Sequence, residues 1–304
     1  MTGALQAVYQ NLRSFAVGIQ KAIFAYGATT ESTTITNLVS NTGVVATDTT
    51  SAGTARYGLA ASSYGTDKGI FGYGNATSIT NVSNLLSNTG VIASDTTGVG
   101  TARTDLIAAG YGNDKGIFSY GYTSSFSQPI TINLVSNTGV IATDTSGQGP
   151  GRSGAAAASY GGDKAIFGFG NSTGLTNATN KVSNTGVVDY SNTGIGSARQ
   201  YLSAVGYGTD KAIFAFGQSS GGVSSITNLV SNTGVLSSDS TVVATTRTRG
   251  AAASYGTDKG IFGYGLNSSG VRLSITNLVS NTGVVSSDVT GVGTERYGLA
   301  AVGY

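Results

Sequence analysis

Six times along this chain of 304 residues a lysine is followed by a small residue, isoleucine and phenylalanine: at Lys21, Lys68, Lys115, Lys164, Lys211 and Lys259. The intervals are 47, 47, 49, 47 and 48 residues. A unit this short cannot bury an apolar face alone, so a fixed period of this size restricts the chain to an array in which each copy packs on its neighbours. Finer distances are fixed as well. From the serine of each S-N-T-G-V stretch to the next repeat arginine is 16 residues, from that arginine to the lysine 12, and from the lysine to a closing glycine 6. Every insertion or deletion therefore falls in one segment, after that glycine and before the next S-N-T-G-V.

The second copy shows what the unit is. A run of small residues from Tyr57 to Tyr64 leads into a G-T-D turn, then Lys68 to Tyr73 supplies bulk in Ile70, Phe71 and Tyr73. A third run covers Thr80 to Ser87, and Asn88 to Gly90 turns the chain into a fourth, Val91 to Thr96. Asn and Gly suit such a turn because they tolerate positive φ. Helices are disfavoured by glycine and β-branched residues throughout, and only residues 4–16 offer a short one. Four strands per unit predict an all-β fold: a six-bladed β-propeller of four-stranded antiparallel blades. Arg296 to Tyr304 repeats a first strand with no second after it, and Gln20 to Gly27 starts with a second strand lacking its first. Pairing of these C-terminal and N-terminal strands is expected to close the ring over residues 18–304. Residues 1–17, with Leu5, Val8, Tyr9, Leu12 and Phe15, remain as an N-terminal arm that packs on the ring or docks on another protein.

An arginine ahead of a small-residue strand, a short turn, and an aromatic strand ending in glycines (Arg56 to Gly65, then KGIFGYG at 68–74) resembles a kelch-type propeller. The resemblance covers residues 18–304 and implies the blade plan, with no ligand attached. Two features depart from it: the double glycine is Gly-Tyr/Phe-Gly, and the chain has no tryptophan.

Composition narrows function. Only 10% of residues are charged and the net charge is +2, so neither nucleic acid nor an anionic membrane is an expected partner. No apolar run reaches membrane-spanning length, and the N-terminus lacks the pattern of a secretory signal. With neither histidine nor cysteine, Ser-His-Asp and Cys-His chemistry and the usual zinc and copper sites are excluded. The acids outside repeat positions are Glu31, Asp105, Asp189 and Glu295, a poor basis for a paired-carboxylate glycosidase. No enzyme, catalytic residue, cofactor or metal is expected, with calcium on loop carbonyls and Asp the one metal chemistry left open.

Most charges recur with the unit. Arg56, Arg103, Arg152, Arg199, Arg247 and Arg296 appear once per copy, as do Asp67, Asp114, Asp163, Asp210 and Asp258 directly before five of the lysines. Asp48, Asp95, Asp144, Asp239 and Asp288 share another position, where the fourth copy has Ser191. Charges of both signs at matched positions point to structural pairs within or between blades, the alternative being a ring of arginines that holds an anion. The variable segments join the second and third strands and would emerge on one face. Either they have drifted or they form a binding face, whose distinctive residues are Glu31, Tyr122, Phe126, Gln128, Asn171, Gln218, Asn267 and Arg272.

Low charge, richness in Gly, Ser, Thr and Asn, near-identical repeats and a leftover arm are similar to repeat-rich propeller proteins of bacteriophage virions. That resemblance implies a non-enzymatic tail, fibre or capsid-surface component of the virion. Its partners would be other virion or assembly proteins, reached through residues 1–17, with host attachment through the variable loops. A lectin-like adhesin, extracellular or on a cell surface, binding glycan through Tyr122 and Phe126 is the alternative, and an intracellular adaptor the third reading.

Overall fold

The structure, a computed structural model, describes residues 21–190 and 194–304. The arm expected at 1–17, the short helix at 4–16 and Ser191 lie outside the described residues. Among the described residues there is no helix, and the chain forms small antiparallel sheets, one per repeat unit, with a minor sheet of Arg199–Gln200, Gln218–Ser219 and Gly222–Val223. Units are numbered here by their lysines, Lys21 marking unit 1 and Lys259 unit 6.

In unit 2 the strands are Ala60–Tyr64, Lys68–Gly72 and Ser83–Leu86, in that order across the sheet. They are called A, B and C below, and the segment after C is called D. Ala60 faces Gly72, and Gly69 faces Leu86. Strand A alternates between buried and half-buried side chains, while strand B is buried on both faces beyond its lysine. The A strand of unit 1 is the last strand of the chain: Ala300–Gly303 pairs antiparallel with Ala22–Ala25.

Three expected boundaries shift. Strand A starts at Ala60 instead of Tyr57, because Gly58 has φ +63° and turns the chain. Strand C starts at Ser83 instead of Thr80, whose N–H is drawn back to the Gly74 carbonyl. Strand D, expected over Val91–Thr96, is reduced in unit 2 to two isolated bridges, Leu86 to Ile92 and Ser83 to Thr96. Between those bridges the buried Asn84 side chain does the pairing, donating to the Ala93 carbonyl at 3.0 Å and the Asp95 carboxylate at 2.9 Å. A true fourth strand, two residues long, occurs in units 1, 3 and 5, at Thr49–Thr50, Thr145–Ser146 and Ser240–Thr241.

The apolar cores lie between successive sheets. Ile23 and Tyr26 of unit 1 pack with Phe71, Leu86 and Ile92 of unit 2, and Ile261 and Tyr264 of unit 6 pack with Phe24 and Val39 of unit 1. Edge-to-face rings recur at these contacts, with centroids 5.6 Å apart for Tyr26–Phe71 and 5.1 Å for Phe24–Tyr264. Small side chains of all six A strands, among them Ala61, Ala109, Ala157, Ala204, Ala252 and Ala301, line one pocket. Their size follows from that crowding.

The six repeat arginines are buried. Arg56 donates to the Tyr73 and Thr54 carbonyls and, at 2.6 Å, to the side-chain oxygen of Asn84. Its guanidinium lies 4.5 Å over the ring of Tyr26 in the preceding unit. Asp95 completes the network by accepting from the Thr54 backbone and hydroxyl. Burial alone would raise Asp95, but the bonds from Thr54 and Asn84 outweigh it and hold the carboxyl below its ordinary value. Unit 4 alters both ends of this network together: Pro150 stands where the other units have Thr or Ser, and Ser191 stands where they have Asp. A proline offers a carboxylate neither an N–H nor a hydroxyl. Arg152 keeps its bond to Asn180 at 2.6 Å, but its Nε and Nη1 reach no partner among the described residues.

Candidate functional site

On one side of the molecule the loops between strands B and C meet the segments that follow the repeat arginines. Tyr57 pairs with Asn75, Thr104 with Tyr122, Ser153 with Asn171, Thr248 with Leu266, and Tyr297 with Ala28. The sequence at strand B's end explains this docking. The aromatic residue before the closing glycine takes φ near +60° (Tyr26 at +62°), and the glycine follows at +103°. A Cβ on Gly27 would stand 2.9 Å from the Tyr297 carbonyl, so only glycine lets the two backbones approach.

At the centre of this side lies the second residue after each repeat arginine: Gly58, Asp105, Gly154, Tyr201, Arg249 and Gly298. All six have positive φ, from +49° at Asp105 to +63° at Gly58. Their backbones form one series of hydrogen bonds. The N–H groups of Asp105, Gly154, Tyr201, Arg249 and Gly298 each donate to the preceding member, and Gly58 donates to Gly298, where the series returns to its start. These residues border a shallow depression with Leu59, Leu106, Ala155, Leu202 and Leu299.

Three units place glycine here and three place large polar side chains, which meet. Asp105 of unit 3 and Arg249 of unit 6 form an ion pair at 3.6 Å, with side chains 7% and 25% exposed. The Arg249 guanidinium lies over the Tyr201 ring, its carbon 3.6 Å from the centroid. Burial pushes the Asp105 carboxyl up, opposed by Arg249 and the Tyr201 hydroxyl. Tyr201 is pushed up to about 12 by burial and the neighbouring carboxylate. Tyr122 is raised by burial and then by the charges of Asp105 and Tyr57. Tyr57 and Tyr297 stand beside each other with ring centroids 6.3 Å apart.

The eight loop residues singled out from the sequence divide into groups. Tyr122 and Phe126 stack, centroids 6.0 Å apart and planes 17° from parallel, with Phe126 82% exposed. Gln128 and Asn171 are occupied, donating to the Ser153 hydroxyl at 3.0 Å and to the Gln200 side chain at 3.2 Å. Asn267 accepts from the backbone of Ser269 and Val271 in its own turn. Glu31 and Gln218 are exposed and Arg272 is half-buried at the start of a strand. The five acids preceding the lysines lie away from this side, on the A–B turns, each paired with its lysine: Asp67, Asp114, Asp163, Asp210 and Asp258 at 2.6–3.1 Å. Sequence reasoning named Asp105 only as an acid outside the repeat positions and missed Tyr201 and Arg249. The signal was present: one repeat position is glycine in three copies and Asp, Tyr or Arg in the others.

Among the described residues no group of three or more acids that could hold a metal occurs, and no helix is long and apolar enough to cross a membrane. No family model and no curated protein matches the sequence. The solved structure of YjhT, a propeller-like fold, superposes with a TM-score of 0.63 over 81% of this chain and 88% of that one, at 13% identity. At that identity the likeness establishes the fold alone: all-β and propeller-like.

Proposed function

We propose that the six units are the blades of a closed, kelch-like β-propeller, and that the protein is a non-enzymatic attachment module that binds glycan through its B–C loop face. Closure is supported by the pairing of Ala300–Gly303 with Ala22–Ala25 and by the backbone series that returns to Gly58. The binding role is carried by one observation: Phe126, 82% exposed, stacks on Tyr122, which is bridged to Thr104, the residue before Asp105. An aromatic face left exposed beside polar groups suits the apolar face of a sugar ring, even in a chain without tryptophan. The test replaces residues 122–130 by the shorter loop of unit 2 and probes a glycan array. Binding by the wild type and its loss in the variant, at an unchanged melting temperature, is the expected result. Equal binding by both removes the loop from the site.

The setting proposed is a phage virion, in a tail, fibre or capsid-surface position, with residues 1–17 joining the propeller to other virion proteins. It rests on composition and repeat character. Mass spectrometry of purified particles tests it: the chain is expected at fixed stoichiometry with capsid or tail proteins, and finding it only free in the medium would favour an extracellular lectin.

A further inference from the structure

We propose that Asp105, Tyr201 and Arg249 form a subsite for an uncharged sugar ring, with a ring hydroxyl held between the Asp105 carboxylate and the Arg249 guanidinium. The inference rests on the reading of the loop face as glycan-binding and says where and by what chemistry the ligand is gripped.

The geometry of the pair carries it. At 3.6 Å the contact is an ion pair and is too long for an N–H···O hydrogen bond, so the Arg249 nitrogens retain donors that no protein acceptor uses among the described residues. A carboxylate and a guanidinium at this separation present an acceptor and a donor to one small group. A hydroxyl both donates and accepts, so it satisfies both at once, and a diol satisfies more of the guanidinium's fork. The two charges cancel, which leaves no net attraction for an anionic or a cationic ligand. The Tyr201 ring backs the guanidinium, with its centroid 3.6 Å away, and Leu59, Leu106, Leu202 and Leu299 give the depression apolar walls.

Backbone cost supports the same conclusion. Asp105, Tyr201 and Arg249 all sit at positive φ, at positions where Gly58, Gly154 and Gly298 do the same structural job without steric penalty. The hydrogen-bond series needs only backbone, so it gives no reason for three glycines to be replaced by side chains that converge. Gly58 and Gly154 clear the space they use: a Cβ on Gly58 would stand 2.9 Å from the Asp105 carboxylate, and one on Gly154 3.0 Å from the Tyr201 ring. A simple tie between unit 3 and unit 6 would be served by a close bidentate pair, which this is not.

The experiment measures binding of the full chain to an array of neutral and acidic oligosaccharides, followed by ligand-observed NMR titration of the best neutral one. Variants are Asp105→Asn, which tolerates the same left-handed backbone, Arg249→Lys, which keeps the charge and loses the planar fork, and Phe126→Ala as the loop control. Thermal melts establish folding, and Arg249→Lys, the more exposed position, stands in if Asp105→Asn does not fold. The expected result is weakening by about tenfold or more in each axial variant, as for loss of a hydrogen bond to a charged group. If Phe126→Ala weakens binding while both axial variants bind like wild type, the subsite is overturned and the loop reading stands. Preference of the wild type for acidic glycans overturns the uncharged class. No binding to any glycan on the array overturns both readings.

Discussion

The loop side and the turn side of this molecule come from the same six copies, yet only one of them has remained uniform. On the turn side each S-N-T-G residue has a stated task. Ser87 accepts from the backbone of Thr89 and Val91, Asn88 donates to Asp67 on the A–B turn, and Gly90 has φ +84° in a place where a Cβ would strike Tyr304 of the neighbouring sheet. Substitution there disturbs several contacts at once. On the loop side the shared task is done by backbone, through the series around Gly58, and side chains were free to diverge. Uniform side chains mark where structure needs them, and divergence marks where another role can be taken up.

The two sides also treat the chain ends differently. On the turn side, backbone bonds run from Gly65 to Asp114, Gly112 to Asp163, Gly161 to Asp210 and Gly208 to Asp258. In unit 1 no A–B turn exists, and Tyr304 and Lys21 bond to each other instead. That joint is the place to break the comparison with the largest effect. Deleting Tyr297 to Tyr304 removes the A strand of unit 1 and exposes Ile23 and Phe24, and the expected outcome is loss of the cooperative thermal transition. A transition of full height in that variant would show that neither this joint nor the loop-side bonds of Gly298, which the deletion also removes, are needed to hold the array.

Next in size are the buried arginines. Arg56→Ala leaves Asn84 and two carbonyls without their donors and uncovers Tyr26, and should cost about 3 kcal/mol. Arg152→Ala breaks one bond in a unit that lacks the aspartate, and should cost about 1 kcal/mol. Urea denaturation of the two variants measures the difference, and equal losses would mean that stacking on the preceding ring outweighs the polar network.

The acids predict opposite pH behaviour. Asp48, Asp95, Asp144, Asp239 and Asp288 are lowered in the folded state, so the stability they contribute is present above the ordinary value of 3.8 and is lost as pH falls through their folded values. Asp105 is raised, so its contribution is present below that value and is lost as pH rises through its folded one. Unfolding midpoints between about pH 3 and pH 8 should therefore fall on acidification in the wild type. Asp95→Asn should flatten the acid end, and Asp105→Asn should be at least as stable as wild type at neutral pH.

The smallest effect is expected at the exposed valines. Val44, Val91, Val140, Val187, Val235 and Val284 are 59–66% exposed, and nothing in the structure explains why this position is valine in all six copies when the next residue varies among Val, Ile and Leu. Val91→Ser should change stability by less than about 0.5 kcal/mol, read from the melt.

The sequence determined the units, the A, B and C strands, the small residues of strand A and the side on which the loops emerge, because these follow from periodicity and turn chemistry within some 50 residues. It also marked Tyr122 and Phe126, neighbours in one loop. It did not reveal the buried asparagines, since Asn84 reads as one polar residue in a strand until Arg56 and Asp95 close around it. Tertiary structure alone decided the cluster of Asp105, Tyr201 and Arg249: they are separated by 96 and 48 positions, and only tertiary packing brings side chains from three units within a few ångströms of one another.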